Sequence, residues 1–295
     1  MHTEFHAHAE KITCYNQHMK IHVLNCGYIR ISENLIETGG MMSDLRHAVL
    51  TPDPKRVELP VHAFLIEHRN GLFLIDTGLS RDISPAGEYD KKASEKVLTK
   101  HLAAVYHPYV PAGMAVHEQL ASMGISPAEL EAVIITNFDI DHVSGLKHVS
   151  DAGRIIVPED EAYWSVRTKY RIRQNRELWE PYKIERLFFR GYLTGPMNKA
   201  IDVLGDGSLM MISIPGYTDG QAGVKVSEKG RYAFIASDAA FSPDSWKRMK
   251  APGLGANEAL QLRTMRWLAK TAEDPACAGI FCTHDPALNH KVIEV

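Results

Sequence analysis

The chain has 295 residues, room for one large domain or two ordinary ones at roughly 150 residues each. Apolar residues make up 45% and charged residues 23%, the balance of a folded, water-soluble protein and not of a disordered or fibrous one. Lys and Arg total 33 against 36 Asp and Glu, a formal charge of -3, so nothing draws the chain to nucleic acid or to an anionic membrane surface.

The first third reads as β structure. Ile21 to Ile31 clusters strand-forming residues, and His62 to Glu67 and Leu72 to Asp76 do the same on either side of Arg69-Asn70-Gly71. Asn and Gly accept positive φ, so that tripeptide predicts a hairpin. Residues 81 to 111 mix charge, proline and aromatics and predict an excursion over the surface. Val116 to Met123 has helical spacing and is stopped by Gly124, and Ser126-Pro127 opens a short turn. Ala132 to Thr136 is a buried strand that runs into the polar cluster Asn137-Phe138-Asp139-Ile140-Asp141-His142.

Residues 158 to 192 predict a charged, aromatic helical region, a lid or a homodimer surface, because local acids offset its six arginines. Strands return at Leu209 to Ile214, Gly223 to Val226 and Arg231 to Ala236. A helix from Asn257 to Thr271 and a last strand, Gly279 to Cys282, follow. Strands flank helices in both halves, which predicts an α/β domain of two sheets with helices outside, spanning residues 1 to 295. No apolar run approaches the roughly 20 residues of a membrane-spanning helix, and the start lacks a basic stretch followed by an apolar one. Cys14, Cys26, Cys277 and Cys282 form no C-x-x-C pair. A cytoplasmic protein with reduced thiols, buried as small apolar residues, is the expectation.

The chemistry lies where strands end. Separate strands deliver Asp139, Asp141 and His142, then Tyr217, then Asp238, then His284. Imidazole and carboxylate converging from rigid strand ends on one sheet edge suit a divalent cation. An aspartate after a strand is by itself a common turn or helix-cap residue, but four such clusters in one chain point to a metal site.

The run Thr136-Asn137-Phe138-Asp139-Ile140-Asp141-His142-Val143-Ser144-Gly145 resembles the signature loop of the metallo-β-lactamase superfamily, H-x-H-x-D-H followed by a small-residue turn. Asp76-Thr77-Gly78, Ile214-Pro215-Gly216-Tyr217-Thr218, Ser237-Asp238-Ala239 and Thr283-His284-Asp285 resemble its other strand-end motifs, in order, over about residues 20 to 290. The stretch from His62 to Gly78 and the 81 to 111 insertion are most similar to N-acyl homoserine lactonases. The resemblance implies a four-layer αββα sandwich in which Asp141, His142, Asp238 and His284 hold a divalent ion and Asp76 lies behind them. It also implies an altered first metal site, because Asn137, Asp139 and Tyr217 stand where the family has histidines. Phe241 stands where similar lactonases carry a tyrosine that assists the substrate carbonyl.

One divalent ion, zinc, iron or manganese, is therefore expected at the intact position, while the oxygen-rich altered one favours iron, manganese or no ion. The leading expectation is a metal-dependent hydrolase that opens a lactone or a related cyclic ester or amide by metal-activated hydroxide. Asp141 serves as a ligand, Asp139 as general base or proton shuttle, Tyr217 as carbonyl donor, and Phe138 and Phe241 line the substrate. The alternatives are a non-haem iron oxidoreductase and a binding protein that has lost catalysis. Restoring histidine at 137, 139 and 217 is expected to recruit a second ion.

Overall fold

A computed structural model describes residues 19–36, 55–288 and 291–295. The first sheet is built from β1 (Lys20–Ser32), β2 (Arg56–His68), β3 (Gly71–Ile75), β4 (His107–Tyr109), β5 (Leu130–Ile134), β6 (Ile155–Pro158) and β7 (Glu185–Leu187). The second holds β8 (Arg190–Gly191), β9 (Lys199–Asp202), β10 (Leu209–Ser213), β11 (Ala222–Glu228), β12 (Arg231–Ser237) and β13 (Cys277–Cys282). The terminal β14 (Val292–Glu294) crosses back to the first sheet, whose order is β14-β1-β2-β3-β5-β6-β7 with β4 also on β1. The second sheet runs β13-β12-β11-β10-β9-β8.

The predicted hairpin is present: β2 pairs antiparallel with β3, Phe64 opposite Ile75 and His68 opposite Gly71. From β3 onward the first sheet turns parallel through β5, β6 and β7. The parallel strands end their C-termini at one edge, which is where polar loops collect.

Apolar alternation fixes the layers. Ile21, Val23, Phe64, Ile66, Phe73, Ile75 and Ile134 of the first sheet pack against Met211, Val224, Val226 and Ile235 of the second. On the first sheet's outer face Leu65, Leu74 and Val133 meet Val116 and Leu120. On the second sheet's outer face Ile212 and Phe234 meet Trp246, Met265 and Leu268. The order is therefore helix, sheet, sheet, helix. The helices are α1 (Lys91–Val97), α2 (Lys100–Val105), α3 (Val116–Ser122), α4 (Ile140–Val143), α5 (Glu159–Ser165), α6 (Pro243–Arg248) and α7 (Glu258–Ala272). Asn257 caps α7 by accepting the Leu260 N–H.

Two expectations change. The 81 to 111 excursion is held down by a core of its own, in which Ile83, Val97, Leu98, Leu102, Val105 and Val110 are buried with Ile29, Ile31 and Val61. The 158 to 192 region is not one long helix. It is the seven-residue α5, two 3₁₀ turns at Thr168–Ile172 and Arg176–Leu178, then β7 and β8. Composition hid the difference: Tyr170 and Trp179 are buried anchors of an irregular segment, while Phe188 and Leu193 are exposed. Cys26, Cys277 and Cys282 are free thiols, the first and last buried, and burial pushes the Cys26 thiol up to about 12. Cys14 lies outside the described residues. Among the described residues no helix is long and apolar enough to cross a membrane.

Candidate metal centre

The ends of β5, β12 and β13 meet at one edge of the sandwich. After β5 the chain bends into the single turn α4, which carries Asp141 and His142. Gly145 seats this loop against the first sheet, because a Cβ there would lie 2.3 Å from the Thr77 carbonyl oxygen. From the second sheet come Asp238, just after β12, and His284, just after β13. All four side chains are buried or nearly so.

Each imidazole is held by its Nδ1. His142 Nδ1 lies 2.8 Å from Asp76 Oδ2 and His284 Nδ1 lies 2.9 Å from the Pro60 carbonyl oxygen. Both partners only accept, so each Nδ1 donates and each Nε2 is the nitrogen left to face the cluster. Asp76 is itself fixed by the Thr136 N–H and the Thr136 hydroxyl, both at 2.8 Å. It adopts φ 58°, and Ser237 beside Asp238 adopts φ 51°. These left-handed backbones cost about 1–3 kcal/mol each and are held only where surrounding contacts fix them.

The Nε2 atoms face carboxylates. His142 Nε2 is 2.7 Å from Asp238 Oδ2 and 3.8 Å from Asp141 Oδ2. His284 Nε2 is 3.2 Å from Asp141 Oδ2 and 3.3 Å from Asp238 Oδ1. Ligand bonds of 2.0–2.1 Å in a tetrahedron place ligand atoms about 3.4 Å apart, so the spacing suits one ion. His142 Nε2 and Asp238 Oδ1 also lack a partner in hydrogen-bond geometry although both are buried, as expected of atoms that await a cation. Among the described residues, Asp141, His142 and His284 offer ligand atoms that all lie within 4.8 Å of one another. The residues fit a divalent ion.

Without an ion the cluster holds protons. Burial opposes a charge on His284, but hydrogen bonds to Asp141 and Asp238 and the field of both carboxylates lift it to about 10. Burial likewise opposes the His142 charge and is outweighed by Asp238, Asp76 and Asp141. Burial alone would raise Asp238, yet His142 and His284 hold it well below the usual carboxylate range. A divalent cation would therefore enter by displacing protons from imidazole.

Asn137, Asp139 and Tyr217 make other contacts. The Asn137 amide nitrogen donates to Asp238 Oδ2 at 3.2 Å and to Ser237 Oγ at 3.3 Å, and its oxygen accepts the Asp139 N–H at 2.9 Å. That oxygen is thus turned to the backbone instead of an ion. Asp139 turns to Arg173, whose Nε donates to Oδ1 at 3.0 Å while its second terminal nitrogen lies 2.5 Å from Oδ2. Gln174 adds a bond to the same Oδ1 at 3.1 Å. The general base or ligand expected at Asp139 is therefore a carboxylate already engaged at both oxygens. Tyr217 follows Gly216, which has φ 141° and whose Cβ, were it present, would lie 2.4 Å from the Gln261 nitrogen. The Tyr217 ring lies under the Arg173 guanidinium, 4.4 Å from carbon to centroid. Burial and the neighbouring Tyr106 raise its phenol well above the ordinary value, so it stays protonated.

Phe241 packs edge-on against His284, ring centroids 4.9 Å apart, and so borders the cluster. Phe138 does not. It stacks on Trp179 at 4.3 Å within the apolar layer outside the first sheet, because it faces away from the flanking Asn137 and Asp139. It borders a cavity of about 470 Å³ lined also by Arg176 and Tyr182, and by none of Asp141, His142, Asp238 and His284. Arg173, Gln174 and Glu161 were not visible in the sequence as site residues. Buried Glu161 joins the layers through the Phe138 N–H at 3.0 Å, Gln174 at 3.2 Å and the Thr218 hydroxyl.

Two stacked sheets with outer helices and an Asp-x-Asp-His turn facing Asp238 and His284 define a class: the chain belongs to the metallo-β-lactamase superfamily, which it matches over residues 56–271. Within that family it is similar to lactonases and to probable metallo-hydrolases. It is 25% identical to N-acyl homoserine lactonase AttM of Rhizobium johnstonii over 242 residues, 78% of this chain and 83% of that one. It is 26% identical to the probable metallo-hydrolase Rv2300c of Mycobacterium tuberculosis over 231 residues, 75% of this chain and 62% of that one. In fold it is similar to an N-acyl homoserine lactone hydrolase solved with N-hexanoyl-L-homoserine at its catalytic metal centre, with TM-score 0.71, 17% identity and 92% and 95% of the two chains covered. AidC, a dizinc quorum-quenching lactonase, aligns with TM-score 0.60 and 12% identity over 91% and 88%.

Proposed function

We propose that the chain opens a lactone or a related cyclic ester or amide with one divalent ion, zinc, iron or manganese, held by Asp141, His142, Asp238 and His284. The observation that carries this reading is the pair of Nδ1-anchored imidazoles, whose Nε2 atoms face two buried carboxylates at 2.7 to 3.8 Å. The names of the relatives support hydrolysis over oxygen chemistry. An ion bound there would supply Lewis acidity and make water nucleophilic near neutral pH.

The chain's own groups do the remainder. Asp76 and the Pro60 carbonyl hold the two imidazoles in one tautomer. Asn137 fixes the Asp238 carboxylate, and Phe241 keeps water from the His284 ring. The neutral Tyr217 phenol donates to the substrate oxygen as negative charge develops on it. Asp139 does not act as a free base in this reading; it holds Arg173. The 1 to 295 chain acts as one folding unit in the cytoplasm, on a small molecule, and pairs as a homodimer through the exposed Phe188, Tyr192 and Leu193.

The test is elemental analysis of protein purified without added metal, with a lactone panel followed by acid release. About one ion per chain and turnover of a cyclic ester are expected. Protein that carries metal, ignores every lactone and consumes oxygen would overturn the proposal.

A further inference from the structure

Beside the ion ligands lies a second buried cation site, and a side chain already fills it. Arg173 is 1% exposed. Its Nε and one terminal nitrogen form a fork on Asp139, its other terminal nitrogen donates to the Leu254 carbonyl, and its plane covers the Tyr217 ring. The guanidinium is planar, permanently charged and weakly hydrated, so it tolerates such a place better than an ammonium would. Two of the three residues that stand in place of histidines, Asp139 and Tyr217, are thus its direct partners. The third, Asn137, joins the two halves: its oxygen accepts the Asp139 N–H and its nitrogen donates to Asp238.

We infer that Arg173 takes the place of a second metal ion. The guanidinium paired with Asp139 and lying on Tyr217 occupies the neighbouring cation position, excludes a second divalent ion and keeps a fixed positive charge next to the first. The inference rests on the reading of Asp141, His142, Asp238 and His284 as an ion site, and it adds that the number of ions is set by a residue which is not a ligand. The physical argument is like-charge exclusion. A divalent ion within about 4 Å of a guanidinium, in a site shielded from water, meets a repulsion of several kcal/mol even at an effective dielectric constant near 20. Asp139 cannot serve two cations, since Arg173 already holds both of its oxygens. Arg173 is a positioning residue, because it fixes Asp139 and Tyr217.

The test counts ions. Wild type, the triple variant Asn137→His/Asp139→His/Tyr217→His, and the same triple with Arg173→Met are equilibrated with excess zinc and freed of loose metal, and zinc per folded chain is measured. The expected result is one ion in the wild type, one in the triple variant and two once Arg173 is also replaced. Two ions in the wild type, or in the triple variant with Arg173 present, would overturn the inference and leave the ion site standing. No ion in the wild type would overturn the ion site and the inference with it. Should the multiple variants fail to fold, Arg173→Lys and Arg173→Met alone decide by competition. Zinc titration of Arg173→Lys should saturate at one ion, and cobalt spectra of Arg173→Met should show a second, weaker absorbing site. Identical cobalt titrations for wild type and Arg173→Met would overturn the inference.

Discussion

Two buried acidic clusters sit side by side at the open edge of the sandwich and solve one problem in opposite ways. At the first, Asp141 and Asp238 face imidazole nitrogens whose other faces are tied back to Asp76 and Pro60, so the countercharge must come from protons or from an ion. At the second, Asp139 faces Arg173, which reaches it from the irregular segment between α5 and β6's neighbour β7. A carboxylate in low dielectric needs a cation in either case. The difference is whether the cation comes from the solvent or is encoded in the chain.

The comparison breaks most sharply at His284. His284→Ala leaves one imidazole and two carboxylates. The loss of metal affinity should exceed the roughly 10–100-fold that follows removal of an outer partner. Unchanged metal content by elemental analysis would show that the ion ligands lie elsewhere. Next in size is the encoded pair. Asp139→Asn leaves the buried Arg173 charge uncompensated and should cost about 3–5 kcal/mol in urea unfolding, without removing the first ion. A variant as stable as the wild type would mean that Arg173 has other adequate partners.

Asp76→Asn probes the tie behind His142. The amide can accept from Nδ1–H but no longer carries charge, so metal affinity should fall by about 10–100-fold, read by competition with a chromogenic chelator. An unaltered affinity would reduce the Asp76 bond to packing. The smallest effect belongs to Glu161, between the apolar layer and the Arg173 cluster. Burial, partly offset by the Thr218 hydroxyl and the Phe138 N–H, pushes its carboxyl from 4.5 up to about 7. Between those values the folded chain keeps a proton that the unfolded chain has lost. Its contribution to stability is therefore full below pH 4.5 and is lost as pH rises toward 7. Glu161→Gln should flatten that part of the Tm profile by on the order of a few degrees, and a profile of unchanged slope would assign the pH dependence to other groups.

The first cluster was legible in the sequence and the second was not, for a physical reason. Asp141, His142, Asp238 and His284 each follow an apolar strand, and strand ends at one sheet edge must converge, so local pattern and topology carry the same message. Arg173 follows no strand and no periodic helix. It is one of six arginines between residues 158 and 192, and its importance arises from contacts with Asp139 and Leu254, 34 and 81 positions away. The Arg69-Asn70-Gly71 turn was legible because the requirement for positive φ is local; Gly71 adopts φ 117°. The 158 to 192 segment was misread because charge and aromatics resemble an amphipathic helix, whereas buried Tyr170 and Trp179 pin a chain broken by Asn175 and Pro181. Phe138 was misplaced because proximity in sequence to ligands says nothing about the face on which a side chain emerges.

The provenance of the four residues proposed as ion ligands has a mechanical consequence. Asp141 and His142 belong to the first sheet and Asp238 and His284 to the second, and His62 on β2 already donates its N–H to the Thr283 carbonyl beside His284. An ion held by all four would be a clasp across the sandwich, one that acts on the folded form and leaves the unfolded chain unconstrained. It would have no binding site until both sheets have met, so the metal would attach to the assembled form alone and raise its stability by mass action as free metal rises above the dissociation constant. Scarcity of metal would then loosen the seam between the sheets as well as silence the chemistry at its edge.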